Sequence, residues 1–458
     1  MARAGFISRL TAVAGVVGLG VVGCGGGETR GASPPAAPPP YAASAPVTQA
    51  VGAIKELPAV RKGLEFIERD HQATVAEQVT MSEIPSPPFH EDQRAADYLR
   101  RLTELGLEDV HRDKTGNVYG LRRGSGGGPT LFVSAHLDTV FPPGTDVKVE
   151  QKDGKYYGPG ISDDARGLAA LLGVVRALRE SGIQTQGDVI FGGTVGEEGL
   201  GDLRGVKGFF AENQQVDGFI TIEPGAPDQI TYQATGSRRY KISFPGPGGH
   251  SFGDFGRPSS LHAMGRAIAR IAEIRTPAQP KTTFTVGVVE GGTSVNAIAG
   301  TASMQVDMRS NDPAALKALE DQLLPMAQVA ADEENARWNA PADKKVTVKT
   351  ELIGDRPAGN QDPNSPMVQA SFAAATALGQ KTTLDTPSST DANLPISKGI
   401  PALRLGGGGG EGNTHSFTDK EWFDPKDAHL GPQSTFLTVL ALVGVAGERP
   451  VAPLLPSR

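Results

Sequence analysis

The chain has 458 residues and sets 44 Lys and Arg against 51 Asp and Glu, a formal net charge of −7. That length supports more than one core, and the interspersed signs leave no basic footprint for nucleic acid. Beyond the first two dozen residues no segment nears the ~18 apolar residues of a membrane span, and a lone cysteine, Cys24, excludes an internal disulfide.

Arg3 and Arg9 precede a short apolar run over residues 10–22, the layout of a secretory signal peptide. Val21-Val22-Gly23-Cys24 resembles a bacterial lipobox, which implies cleavage before Cys24 and lipid attachment to its sulfur. The expectation is a signal peptide over 1–23 and a protein lipid-anchored to the bacterial cell envelope, facing the periplasm or the exterior. Residues 24–58 are rich in Gly, Pro, Ala and Ser and read as an extended tether.

Order is expected from residue 59. Helical spacing runs through residues 60–79 (Leu64, Ile67, His71, Val75, Val79) and again through 91–105, with a proline-rich loop between. Residues 118–121 read as a strand. Residues 130–135 are short, apolar and β-rich, as a strand buried in a parallel sheet should be. A helix over 165–180 follows, then buried strands over 188–195 and 218–222. The pattern changes at residue 232. Strands over 232–244, 282–290, 301–309 and 345–352 alternate with helices over 258–274 and 313–335. That β-α-β-β-α-β order is the split arrangement of a ferredoxin-like sheet. A helix over 366–378, a glycine run at 406–410 and a helix over 425–445 complete the chain. The predicted architecture is α/β: a mixed, mostly parallel sheet covered by helices, formed by residues 59–231 and 353–458, with residues 232–352 inserted as a separate domain.

Chemistry-bearing residues collect just after the predicted strands, where open α/β sheets place their sites. His136-Leu137-Asp138 ends the 130–135 strand, and alternation lets His136 and Asp138 point the same way. A carboxylate so placed can accept the second imidazole N–H and orient the ring for metal binding. Asp163-Asp164 opens the next helix, and a cation would relieve the repulsion between the two. Glu197-Glu198 follows the 188–195 strand between glycines, Glu223 ends the 218–222 strand, and His415 follows the glycine run. Imidazoles and carboxylates without thiolate suit Zn²⁺, with Mn²⁺ or Co²⁺ as alternatives. Paired metals activate water against a carbonyl. Neighbouring side chains diverge, so of Glu197 and Glu198 one can bind metal while the other reaches the water. A single His-x-Asp or an acidic pair is ordinarily structural; five such groups in order at strand ends argue for a metal site.

These motifs together resemble the dinuclear-zinc exopeptidase and deacylase family, which includes peptidase T, glutamate carboxypeptidase, acetylornithine deacetylase and succinyl-diaminopimelate desuccinylase. The resemblance covers roughly residue 84 to the last helix. It implies two Zn²⁺ per chain, bridged by Asp163, with His136 and Glu223 completing one and Glu198 and His415 the other. It further implies Glu197 as general base and then acid, Asp138 as partner of His136, and a cis bond joining Asp163 to Asp164. The inserted unit looks like the family's lid and dimerisation domain, so a homodimer is expected. Within it His250 would stabilise the oxyanion, from the partner subunit, while Asn296 and Arg309 would hold the substrate. Ala165-Arg166 departs from the lysine and glycine of many relatives, which weakens any inference about substrate. The function so implied is hydrolysis of an amide in a small peptide. An N-acyl amino acid deacylase shares the mechanism, and a catalytically inactive lipid-anchored binding protein is the rival from a different class.

Overall fold

The computed structural model describes residues 41–458. The expected signal peptide, Cys24 and the first part of the tether lie outside the described residues. Eight strands form the main sheet, in the order Glu108–Arg112, Val118–Arg122, Asp188–Thr194, Thr130–His136, Gly218–Glu223, Ala402–Gly406, Gln229–Thr231 and Thr383–Leu384. The four central strands, from Asp188–Thr194 to Ala402–Gly406, run parallel, and the strand that joins each flank, Val118–Arg122 or Gln229–Thr231, runs antiparallel to them. Register brings His136 beside Thr194 and Glu223 beside Gly406, so four parallel carboxyl ends lie side by side. The mixed, mostly parallel sheet expected from the sequence is present.

Both faces are covered. On one, the helices Ala165–Ser181 and Leu430–Val443 bury nearly all their residues against Leu131, Val133, Ile220 and Leu403. On the other, the helix Arg204–Glu212 sets Phe209 against Phe132, ring centroids 4.0 Å apart, with Phe219 beside them. Buried strands of this kind read as continuous apolar runs because both faces are dry.

The inserted unit is a four-stranded antiparallel sheet ordered Thr282–Gly291, Ala302–Ser310, Gly236–Ser243, Lys349–Arg356. The helices Ser260–Ala272 and Pro313–Arg337 pack on it around Met304, Val306, Met308 and Leu323. Its last strand lies later than the 345–352 expected: Val346 is buried in the core of the inserted unit, and pairing starts only at Lys349 and continues to Arg356. The expected first strand over 232–244 is also shorter, Gly236–Ser243, because Ala234 bridges Gly359 and Ser388 and pairing within the inserted sheet starts at Gly236.

Two further expectations are corrected. The tether read through residue 58 gives way to a helix, Ala45–Lys55, that buries Val51 and Ile54. Tyr41 packs edge-on against Phe372, and Lys55 Nζ donates to the carbonyl of Ala377 at 2.5 Å. Proline at the start of that helix and apolar residues at Val47, Val51 and Ile54 suit a helix docked on the core. The single helix read over 60–79 is two, Pro58–Arg69 and His71–Ser82, broken at Asp70.

Candidate metal centre

His136 stands at the buried end of its strand, its side chain 1% exposed. Its Nδ1–H donates to the backbone carbonyl of Asp138 at 2.9 Å, while Nε2 meets Asp163 Oδ1 at 2.8 Å. The first bond fixes the ring so that Nε2 faces the cluster, the orienting role outer partners play for ligating histidines. It comes from the main chain of Asp138, not from its carboxylate, which lies 3.7 Å from Nδ1. The partner expected from alternation is thus the right residue through a different atom. The Asp138 carboxylate instead accepts the N–H groups of Glu197 at 3.0 Å and Glu198 at 2.8 Å. Burial disfavours its charge, but His136 and these two amides outweigh that and hold its pKa below the usual value.

The two aspartates of the next turn divide their work. The Asp163-Asp164 peptide is cis, as the resemblance implied. Asp164 caps the helix Ala165–Ser181 by accepting the N–H of Gly167 at 3.0 Å, and its other oxygen accepts the N–H of His136 at 2.9 Å. A Cβ at Gly167 would stand 2.3 Å from both Asp164 Oδ1 and the carbonyl of Ile222, so only glycine fits there. Asp163 turns to the imidazoles: Oδ1 meets His136, and Oδ2 meets His415 Nε2 at 2.7 Å. His415 Nε2 also lies 2.7 Å from Glu198 Oε1. Ligand atoms of His136, Asp163 and Glu198 all fall within 4.8 Å of one another.

Glu421 holds this turn from the far end of the chain. Its carboxylate accepts the N–H groups of Gly160 at 2.9 Å, Ser162 at 2.7 Å and Asp163 at 2.9 Å. Nothing near Glu421 in the sequence marks it, and only its three-amide grip shows its place.

Glu197 and Glu198 leave the Asp188–Thr194 strand through Gly196, which has φ +68°. Glu198 faces His415, whereas Glu197 points to Arg356, whose Nη1 donates to its Oε1 at 3.2 Å. Burial raises the Glu197 pKa to about 8, against the opposing pull of Arg356. Glu223 is buried at the end of its strand, where the Thr221 hydroxyl donates to its Oε1 at 3.3 Å. It stands outside the tightest group, and burial pushes its pKa well up. Hydrogen bonds to Asp163 and Glu198 raise the His415 pKa to about 11. Against burial, the hydrogen bonds from His136 and then His415 hold the Asp163 pKa low.

The donor set fits a divalent cation. Carboxylate oxygens and imidazole nitrogens converge on Asp163, with the His136 ring fixed from behind by the Asp138 carbonyl.

The lid residues stand apart from this cluster. Gly249–His250 pairs antiparallel with Ala297–Ile298, which brings His250 and Asn296 together. His250 is exposed, and its Nδ1 accepts N–H groups from Phe252 at 3.3 Å and Gly253 at 3.2 Å, which leaves Nε2 as the ring's donor. Asn296 Oδ1 accepts the Ser294 hydroxyl at 2.6 Å. Arg309 pairs with Asp307 at 2.8 Å and lines a cleft of about 1100 Å³ with Lys281, Asn311 and Ser389. The glycine run does not offer its amides freely: Gly407 donates to the carbonyl of Glu223 at 2.8 Å and Gly408 to that of Gly225 at 2.9 Å. It clamps the Glu223 turn.

A mostly parallel α/β sheet with a carboxylate–imidazole cluster at its carboxyl ends defines a metal-dependent hydrolase of the peptidase and amidohydrolase type. Residues 132–441 match the Peptidase family M20/M25/M40, and the chain belongs to that family. The uncharacterized protein YqjE of Bacillus subtilis is 26% identical over 344 residues, 72% of this chain and 88% of its own. The succinyl-diaminopimelate desuccinylase of Gluconacetobacter diazotrophicus is 27% identical, covering 61% of this chain and 73% of its own. Among solved structures, aminopeptidase PepT of Bacillus cereus superimposes with a TM-score of 0.64 over 81% of this chain and 98% of its own, at 22% identity.

Proposed function

We propose that this protein is an exopeptidase of the di- or tripeptidase or carboxypeptidase type, cleaving an amide bond in small peptides with two Zn²⁺ ions. The observation that carries this reading is the placement of Asp163 between two donor groups. His136 meets one of its oxygens, and His415, itself touching Glu198, meets the other. Asp163 would bridge the metals, His136 and Glu223 completing one and Glu198 and His415 the other. Co²⁺ or Mn²⁺ would suit the same donors. When bound, the metal pair supplies Lewis acidity and lowers the pKa of water.

Glu197 takes a proton from the attacking water and returns it to the amine nitrogen as the C–N bond breaks. Burial, which raises its pKa above the ordinary carboxylate value, suits a group that must hold a proton and release it. His250 donates Nε2–H to the oxyanion, Asn296 sits beside it, and Arg309 offers a fork to a terminal carboxylate. A homodimer through the lid would bring His250 to the site. In support, the edge strand Thr282–Gly291 leaves Val288 43% and Val289 55% exposed.

Hydrolysis of an N-acyl amino acid is the second reading, favoured by the similarity to a succinyl-diaminopimelate desuccinylase. Rates on di- and tripeptides against N-acyl amino acids, with and without added metal, decide between them. Metal-replete protein that cleaves neither class contradicts both.

A further inference from the structure

The lid strand Lys349–Arg356 ends against the glutamate loop. Arg356 is 4% exposed. Its Nη1 donates to Glu197 Oε1 at 3.2 Å and to Ser389 Oγ at 3.4 Å, and its Nη2 donates to the Glu197 carbonyl. One guanidinium therefore holds the side chain and the main chain of the same residue. Three more contacts tie this loop to the foot of the lid. Arg239 donates to the carbonyl of Gly199, and the Asp355 N–H donates to Asp202 Oδ1 at 2.8 Å. Lys207 Nζ, paired with Asp202 at 2.6 Å, donates to the carbonyl of Asp355 at 2.9 Å.

We propose that Arg356 is the positioning residue for Glu197, so that the seating of the last lid strand sets the aim of the general base. This rests on the assignment of Glu197 as that base. Arg356 occupies Oε1, which leaves Oε2 to take the proton. A planar guanidinium can hold a carboxylate and a carbonyl together, which a lysine ammonium on its flexible stem does far less well. Both side chains are buried and bonded to each other, so each keeps the other in place, and removing the guanidinium frees the Glu197 carboxyl to turn. Loss of position matters more than loss of charge, because a shift of about 1 Å in a reacting group costs on the order of 10²-fold in rate.

The test uses full-length, metal-replete protein carrying Arg356→Met, Arg356→Lys or Glu197→Gln. Arg356→Met should lose about 10²-fold in kcat with KM nearly unchanged and metal content equal to wild type. Added guanidinium should recover part of the loss, and a crystal structure of the variant should show the Glu197 carboxylate displaced. Wild-type kcat in Arg356→Met, or a loss that tracks loss of metal, overturns the proposal. Should Arg356→Met not fold, Arg356→Lys decides: a kcat at least about tenfold lower at an unchanged melting midpoint supports positioning, and wild-type kcat refutes it. An inactive Glu197→Gln beside a fully active Arg356 variant defeats this inference alone. A fully active Glu197→Gln defeats the base assignment on which it stands.

Discussion

At the scale of single residues, Glu197 carries the heaviest demand. Replacing it with Gln keeps its size and removes its basicity, and general acid–base groups typically contribute ~10²–10⁴-fold. Glu197→Gln is expected to cut turnover by that order while metal content stays at the wild-type level. Loss of metal together with activity would mean that Glu197 and Glu198 have exchanged roles. His136, Asp163, Glu198 and His415 were legible because each sits beside glycines or a strand end, a local signal. Arg356 and Glu421 were not, since each acts on a partner far along the chain, Glu421 across 258 residues to Asp163. Asp138 was legible in identity but not in mechanism: alternation gives direction, and only coordinates show which atom makes the bond.

Among the elements, the turn from Gly158 to Asp164 depends on one distant carboxylate. Glu421→Ala strips the acceptor from three amides at once, and a buried donor left unpaired costs about 1–3 kcal/mol. We expect a lower melting midpoint and metal affinity weakened by ~10–100-fold, the usual range for partners that orient ligands. Equilibrium metal titration checks this, and wild-type affinity would show that the turn holds itself. Buried strands were readable from apolar runs, and the split β-α-β-β-α-β order from the change to alternation at the lid. The shift of the last lid strand to Lys349–Arg356 was not readable, because strand pairing rather than local pattern sets where it begins. Ala45–Lys55 was hidden by composition: proline and alanine suggest a tether, yet Val51 and Ile54 find the core.

Across the whole molecule, the proposed role of His250 requires the inserted unit to meet the candidate metal cluster. His250 is exposed and makes its side-chain hydrogen bonds within its own loop, so its proposed role requires closure or a second subunit. Losing an oxyanion donor typically costs ~10²–10³-fold in turnover, and His250→Ala is expected to fall in that range with metals retained. Mixing His250→Ala with Glu197→Gln under subunit exchange should restore part of the activity, because one site of a C₂ heterodimer then has both groups. No rescue despite verified exchange would place His250 within its own chain's site or outside catalysis. The proposed anchor at Cys24 predicts wild type in the membrane fraction and Cys24→Ser soluble or unprocessed; a wholly soluble wild type counts against it.

Every role proposed for Glu197, Arg356 and His250 depends on the carboxylates and imidazoles around Asp163 being metal ligands. Elemental analysis of the purified protein, before and after chelation, tests that most directly. The expected result is close to two metal ions per chain, as in paired-metal hydrolases, with hydrolysis abolished by the chelator and restored by Zn²⁺, Co²⁺ or Mn²⁺. Trace metal only, with hydrolysis indifferent to chelation, would contradict it.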